Sequence, residues 1–373
     1  MSLSRRLMVC GVVAWAAVSA CKSTTTTSAI LHNQHENYEM AIEQATISIE
    51  EDPNDARAYF ELGIAYSNLA EKAEDFDTKK DYLDQAFESF RQAIQLKPDD
   101  VDMRRMANDN IKHNYVIHYN AGISEFSDEN ELMAADEFYL AFIADPRQPK
   151  AYISYAKSIY KVFPDSTLFV NRALKSLSRA MTLSEPGGQQ YTDALEIYCK
   201  ILSDQGRETE LLERVNELLE TNPEKYYVLE DAGYNALDNQ NHETAFLLLQ
   251  RAAKARKKIG EEDWEIYYNL GVLAYQLKDY EKAYDYYMEA LSMPGRQDDP
   301  VTMRNLMATL YASERYEEAI DWSQKYTTEI QPEDPEGWKI LGWAYKKLGK
   351  PTEGNKALMK YKELDRRARG GGS

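Results

Sequence analysis

Between Trp264 and Gly295 the apolar positions fall into two blocks of helical spacing. Tyr267, Leu270, Gly271 and Ala274 share one face of a first helix, at offsets 0, 3, 4 and 7. Ala283, Tyr287 and Ala290 share one face of a second. Lys278-Asp279 between them predicts a turn. Gly271 and Ala283 have almost no side chain, so two helix backbones can approach closely there while larger neighbours interlock around the contact. Such a pair leaves apolar surface on two sides and needs copies of itself as neighbours to bury it. The pattern recurs along the chain, and alternating runs of the strand type are absent, so an all-α protein without a sheet is expected.

This stretch resembles the tetratricopeptide repeat, a 34-residue helix-turn-helix. With Trp264 as position 1, the resemblance implies bulky residues at 4, 7 and 11 and a small one at 8. It also implies Ala, aromatic and Ala at 20, 24 and 27, with Pro near 32. The first match is degenerate: Ala41, Ala45 and Pro53 fit, but the first helix around 29–35 is poor, which suits a cap. The second runs from Ala56 through Tyr59, Leu62, Gly63 and Tyr66 to Ala86, Phe90 and Ala93, with an insertion around 75–84. Residues 99–114 predict an extra polar helical segment before the third match at Tyr115. Further matches start near Pro149, Thr192, Tyr226, Trp264, Pro300 and Pro335. Pro186-Gly187-Gly188 is the clearest break, either a hinge or a longer turn, and divides an array at 30–188 from one at 189–368. The resemblance implies a right-handed superhelical solenoid of about nine repeats.

In this family the first helices line the concave side, and positions 2, 5, 9 and 12 lie opposite the core positions. Here those positions hold Phe60, Tyr119, Phe126, Tyr160, Tyr227, Tyr234, Tyr268, Tyr275, Arg304, Tyr311 and Trp343, with Ile64, Ile123 and several lysines. Tyr and Trp offer apolar area with a polar tip, a composition common in recognition surfaces. Two readings are open: a groove for a partner, or side chains serving contacts between repeats. The family's chaperone-tail clamp is not expected, since Lys339 at position 5 is followed by Trp343 at 9 and no repeat supplies the remaining Asn, Lys and Arg set.

The N-terminus adds an address. Arg5-Arg6 precede an apolar stretch from Leu7 to Val18, too short to span a bilayer, that ends in Val18-Ser19-Ala20-Cys21. This resembles a bacterial lipobox and implies a signal peptide at 1–20 with acyl chains on Cys21. An ordinary secretory signal with an incidental Cys21 is the other reading. Lys22 rather than Asp follows the cysteine, which by analogy with Gram-negative lipoproteins implies the outer membrane with the body in the periplasm. Residues 21–29, with four Thr in a row, are expected to form a polar tether. With Cys10 removed and Cys21 acylated, Cys199 alone remains, and no internal disulfide is expected. Residues 369–373 are a Gly/Ser tail, a linker remnant outside the fold.

A formal charge of −18 argues against nucleic acid and suits a long solvated surface. The end is different: nine Lys/Arg from Lys346 to Arg369 face Glu353, Glu363 and Asp365, a basic cap on an acidic body. Two histidine pairs, His32/His35 and His113/His118, have ligand-like spacing, but nothing completes a metal site. No phosphate-cradling Gly loop or nucleophile elbow is present, so neither an enzyme nor a cofactor is expected. The expected function is a lipid-anchored periplasmic scaffold that binds protein partners in an outer-membrane or envelope assembly or secretion complex. The alternative is a polysaccharide or peptidoglycan accessory protein, because aromatic faces also stack on sugar rings.

Overall fold

A computed structural model describes residues 23–370, in which helices joined by short turns account for the fold and no strand is present among the described residues. They form nine consecutive pairs. Pairs one to four are α1 (Thr24–Gln34) and α2 (Tyr38–Glu51), α3 (Ala56–Lys72) and α4 (Phe76–Leu96), α5 (Val101–Ser127) and α6 (Glu131–Ala144), and α7 (Pro149–Val162) and α8 (Thr167–Leu183). Then come α9 (Gln189–Asp204) and α10 (Glu208–Thr221), and α11 (Tyr227–Asp238) and α12 (His242–Ile259). The last are α13 (Trp264–Gln276) and α14 (Tyr280–Ser292), α15 (Pro300–Ala312) and α16 (Tyr316–Lys325), and α17 (Pro335–Lys347) and α18 (Pro351–Gly370). A 3₁₀ turn (Pro223–Tyr226) precedes α11, and a π turn (Tyr326–Ile330) follows α16. The chain divides into two compact units at 194/195, inside α9 and beyond the Pro186-Gly187-Gly188 turn.

The lock between the two helices of a pair is a glycine under a large side chain. A Cβ on Gly63 would lie 2.7 Å from the Phe90 ring, one on Gly122 2.7 Å from Phe138, and one on Gly271 2.5 Å from Tyr287. Gly233 under Leu249 and Gly342 under Leu358 repeat the arrangement. In the α15–α16 pair the sizes are reversed, with Met307 in the small slot and Ser323 in the large one, both fully buried. Tyr287 is only 2 % exposed, so a Cβ at Gly271 would force a buried ring to shift. Gly271→Ala is therefore expected to lower the stability of the second unit by about 1–2 kcal/mol. The loss comes despite the ~1 kcal/mol that Ala gains over Gly inside a helix. A higher urea midpoint in this variant would show that the backbones are not held together at this contact.

Most turns inside a pair close through one residue with positive φ at the same register. Lys278 and Glu314 (both φ 62), Gln240 (φ 60) and Glu129 (φ 62) hold it without glycine, while Gly349 supplies it at φ 71. Asp side chains cap many helix starts: Asp55, Asp75, Asp100, Asp279, Asp299 and Asp334 each accept a backbone N–H of the first turn. Part of the acidity is thus structural.

Three expectations need correction. The tether is absent from residue 24 onward, because α1 begins at Thr24 with Ser23 as its cap. Thr26 is 1 % exposed and bonded to Ser48 Oγ at 2.6 Å, so this stretch is packed against α2. The extra segment before the third repeat is no separate element: α5 runs unbroken for 27 residues. Tyr326 takes a slot expected to be small and is 2 % exposed. Room for it comes from Gly337 on α17, where a Cβ would lie 2.6 Å from its ring, and from the π turn that begins at Tyr326. The signal peptide, Cys21 and residues 371–373 lie outside the described residues.

Candidate partner-binding surfaces

In the second unit the first helices α13, α15 and α17 lie side by side, as each packs on the next. Their outward positions meet in pairs across repeats. Asn269 on α13 donates to the Tyr234 hydroxyl from α11 (3.3 Å), and Asn305 on α15 donates to Tyr268 from α13 (3.1 Å). Tyr311 meets Trp343 with ring centroids 5.9 Å apart. Arg304 reaches Asp334 at 3.6 Å, and Lys339 lies over the Trp343 ring at 5.0 Å. Tyr234, Tyr268 and Tyr311 are half-buried by these contacts, whereas Tyr275 remains 38 % and Trp343 40 % exposed. Between α13, α14 and α15 a cavity of about 260 Å³ opens beside Tyr275, floored by Tyr287 and bounded by Val272, Asn305 and Ala308.

Burial raises the Tyr234 hydroxyl above its usual range, with the Asn269 bond opposing it. The Tyr287 hydroxyl is raised more strongly, again by burial first. These phenols stay neutral near pH 7 and act as hydrogen-bond partners. Asn269 and Asn305 were missed in the sequence because position 6 carries no rule in the repeat pattern. Their only signal is that an amide recurs at that register in two successive repeats.

The other expected groove residues do not join this face. Tyr227 is 37 % exposed and donates to Glu196 at 2.8 Å. In the first unit Phe60 is a correction. It is 0 % exposed, edge-on to Phe90 at 5.7 Å, and belongs to the core with Met103 and Ile111 of α5. The neighbouring α5 covers the face that the pattern left open. Tyr119 stacks on Tyr115 (5.3 Å) and leans on Phe138 (5.5 Å), half-buried. Phe126 is 39 % exposed with Lys161 5.5 Å from its ring, and Tyr160 is half-buried.

The histidine pairs diverge. His35 turns back to the Leu31 carbonyl at 2.7 Å, while His113 meets Glu71 (3.1 Å) and His118 meets Glu137 (2.7 Å). Among the described residues no group of three or more His, Cys, Asp or Glu side chains could hold a metal ion. Cys199 is fully buried, and burial pushes its thiol up to about 12, so it packs as a small apolar residue. No described helix is long and apolar enough to cross a membrane.

The comparison with known families decides the repeat. The tetratricopeptide repeat family matches residues 264–293, the α13–α14 pair. This chain carries a tetratricopeptide repeat there. Its architecture is an all-α repeat solenoid, and proteins of this repeat serve as protein–protein interaction scaffolds. Similar solved structures include MamA, at 18% identity over 48% of this chain and 94% of that one, with a TM-score of 0.37. MamA 41-end from Desulfovibrio magneticus RS-1 is 16% identical over 47% of this chain and 95% of that one, at 0.35. YrrB, described as a TPR protein with an unusual peptide-binding site, is 17% identical over 62% and 93%, at 0.33. No curated protein matches this chain.

Proposed function

We propose that this protein is a lipid-anchored scaffold of the bacterial envelope that holds a partner protein on the first-helix face of its second unit. One observation carries the reading of that face. After the Tyr234–Asn269 and Tyr268–Asn305 bonds tie neighbouring repeats together, Tyr275 and Trp343 still present exposed rings, and Tyr275 stands beside an open cavity. Aromatic side chains held by a rigid scaffold lose little freedom on binding and are frequent anchors of interfaces.

The address rests on the sequence around Cys21. Acyl chains there would each contribute about 0.8 kcal/mol per buried methylene, and more than one chain makes release slow. Because α1 starts at Thr24, only Lys22 and Ser23 separate the acylated residue from folded protein. Three peptide units reach roughly 10 Å at most. The body would then rest against the lipid headgroups, with no slack to swing away.

Two measurements test the reading. Metabolic labelling with radioactive palmitate should mark the wild-type chain and not Cys21→Ser. In pull-downs from detergent-solubilised envelopes, Tyr275→Ala/Trp343→Ala should weaken recovery of a stoichiometric protein partner by roughly thirtyfold, about 2 kcal/mol of hot-spot energy. Tyr275, whose ring contact is Tyr280 of its own pair, is the cleaner probe of the two, since Trp343, like Tyr268 and Tyr311, also joins repeats. Equal recovery by the variant, or retention on purified peptidoglycan in place of any protein, would overturn the assignment.

A further inference from the structure

A large cavity lined by aromatic side chains lies in the first unit. It occupies about 760 Å³ between the second helices α4, α6 and α8, with α7 as its floor. The floor is made by Tyr152, Tyr155 and Ile159, the residues at repeat positions 4, 7 and 11 that ordinarily fill the interior of a pair. Here they are well buried yet line an open space. Phe142 stacks on Tyr152 at 4.4 Å, and Tyr139 meets Tyr155 at 5.6 Å, which fixes one wall. Helix α8 forms the other. It starts early: Ala173 follows six residues of α8, whereas Ala283 follows three of α14. The added turn carries Phe169, which stacks on Phe163 at 4.2 Å and closes one end.

The α8 wall is cationic. Arg172, Lys175 and Arg179 line the cavity from successive turns of one helix face. In a chain of net charge −18, none of the three is ion-paired to a carboxylate among the described residues. Arg172 lies over the Phe169 ring (5.3 Å) and beside the Tyr155 hydroxyl, and Arg179 lies beside the Tyr152 hydroxyl. The guanidiniums are thus oriented by neutral aromatic partners. The acidic groups that reach the cavity are Asp77, which pairs with Lys80 at 3.6 Å, and Asp136 on the α6 wall. They direct a negative ligand toward α8.

We infer that this cavity is a second protein-binding site, which takes an acidic peptide segment with an aromatic anchor flanked by carboxylates. Charge complementarity and length select this occupant. From Arg172 to Arg179 the cationic wall extends over roughly 10 Å. That is longer than one phosphate or one carboxylate, and it matches carboxylates three residues apart on an extended peptide at ~3.3 Å per residue. The anchor ring would enter the aromatic floor, and the carboxylates would accept bonds from the Arg forks. This site lies in the first unit and does not rest on the reading of the Tyr275–Trp343 face.

The test is isothermal titration of acetyl-Glu-Asp-Phe-Asp-Glu-amide into the full chain. Saturable binding is expected, weakening with added salt. The Arg172→Gln/Lys175→Gln/Arg179→Gln variant should lose at least tenfold in affinity, with its helical circular dichroism unchanged. Lys175→Glu alone should lose affinity severalfold and guards against a triple variant that does not fold. Tyr275→Ala/Trp343→Ala should bind as wild type does. The proposal is overturned by an absence of saturable heat, by equal binding of the Gln/Asn version of the peptide, or by unchanged affinity in the charge variants. It is also overturned if phosphatidylglycerol vesicles, and not the peptide, bind in a manner the triple variant abolishes.

Discussion

Replacing Phe90 with alanine is expected to lower the stability of the first unit by about 3–5 kcal/mol, the range for truncating a buried aromatic ring. The ring is 0 % exposed and sits on Gly63, edge-on to Phe60 at 5.7 Å. Around it stand Ala86, Ala93, Met103, Ala107 and Ile111, which come from α4 itself and from the next first helix. Because Gly63 and the alanines have nothing with which to fill the space, the cavity would stay open and its full cost would be felt. Phe90→Leu, which keeps most of the volume, should lose less than half as much. The measurement is urea denaturation followed by circular dichroism. A shift below ~1 kcal/mol for the alanine variant would mean that the glycine-under-aromatic lock is incidental to the stacking of repeats.

The second large effect belongs to Asp55. Its carboxylate caps α3 by accepting Arg57 N–H (3.0 Å) and Ala58 N–H (3.1 Å). It also accepts the hydroxyls of Ser48 (3.1 Å) and Thr26, thereby joining α1, α2 and α3. Asp55→Ala should cost about 2–4 kcal/mol. A lost cap accounts for ~0.5–2, and the one buried hydroxyl that then lacks an acceptor, since Thr26 and Ser48 can still bond each other, accounts for ~1–3. The variant also predicts a pH signature. Burial pushes the Asp55 carboxyl up, but the bonds from Thr26, Ala58, Ser48 and Arg57 outweigh it and hold the group below its ordinary 3.8. A lowered folded-state value means that the unfolded chain binds the proton more readily. The contribution of Asp55 is therefore complete above the unfolded value near ~3.9 and disappears as pH falls through the folded one. The wild-type advantage over Asp55→Ala in urea midpoint should be constant from pH 6 to 5 and shrink toward pH 3. A gap that widened on acidification would contradict this assignment.

The pairing of helices was legible because its signal is local and repeated. Gly271 and Tyr287 are sixteen positions apart in one repeat, and the same spacing brings Gly122 under Phe138 and Gly342 under Leu358. A period repeated that often outweighs the insertion between Gly63 and Phe90. What was not legible depended on neighbours beyond the pair. Phe60 sits at an outward position by the repeat rule, yet Met103 and Ile111 of the elongated α5 cover it. The rule has no term for a helix that overruns its own repeat. The N-terminal threonines read as a tether because their composition is polar. Thr26 is nonetheless buried, since Ser48 and Asp55 supply partners that composition cannot reveal. The α7–α8 cavity was hidden for the opposite reason. Its tyrosines were assigned to the interior, which is correct for their burial, but the space beside them depends on where α8 begins.

Helix α5 carries a wider implication. Its first half, through Met103, Ala107 and Ile111, completes the core of the pair before it, and its second half, through Gly122 under Phe138, forms the core of its own pair. In a regular array each module melts against its neighbour through a contact that can be broken, and its stability is a sum of module and contact contributions. Here the joint between modules two and three is a continuous backbone-bonded rod about 40 Å long. Those two modules cannot part company without breaking a helix in its middle, so this stretch behaves as one thermodynamic block of double size.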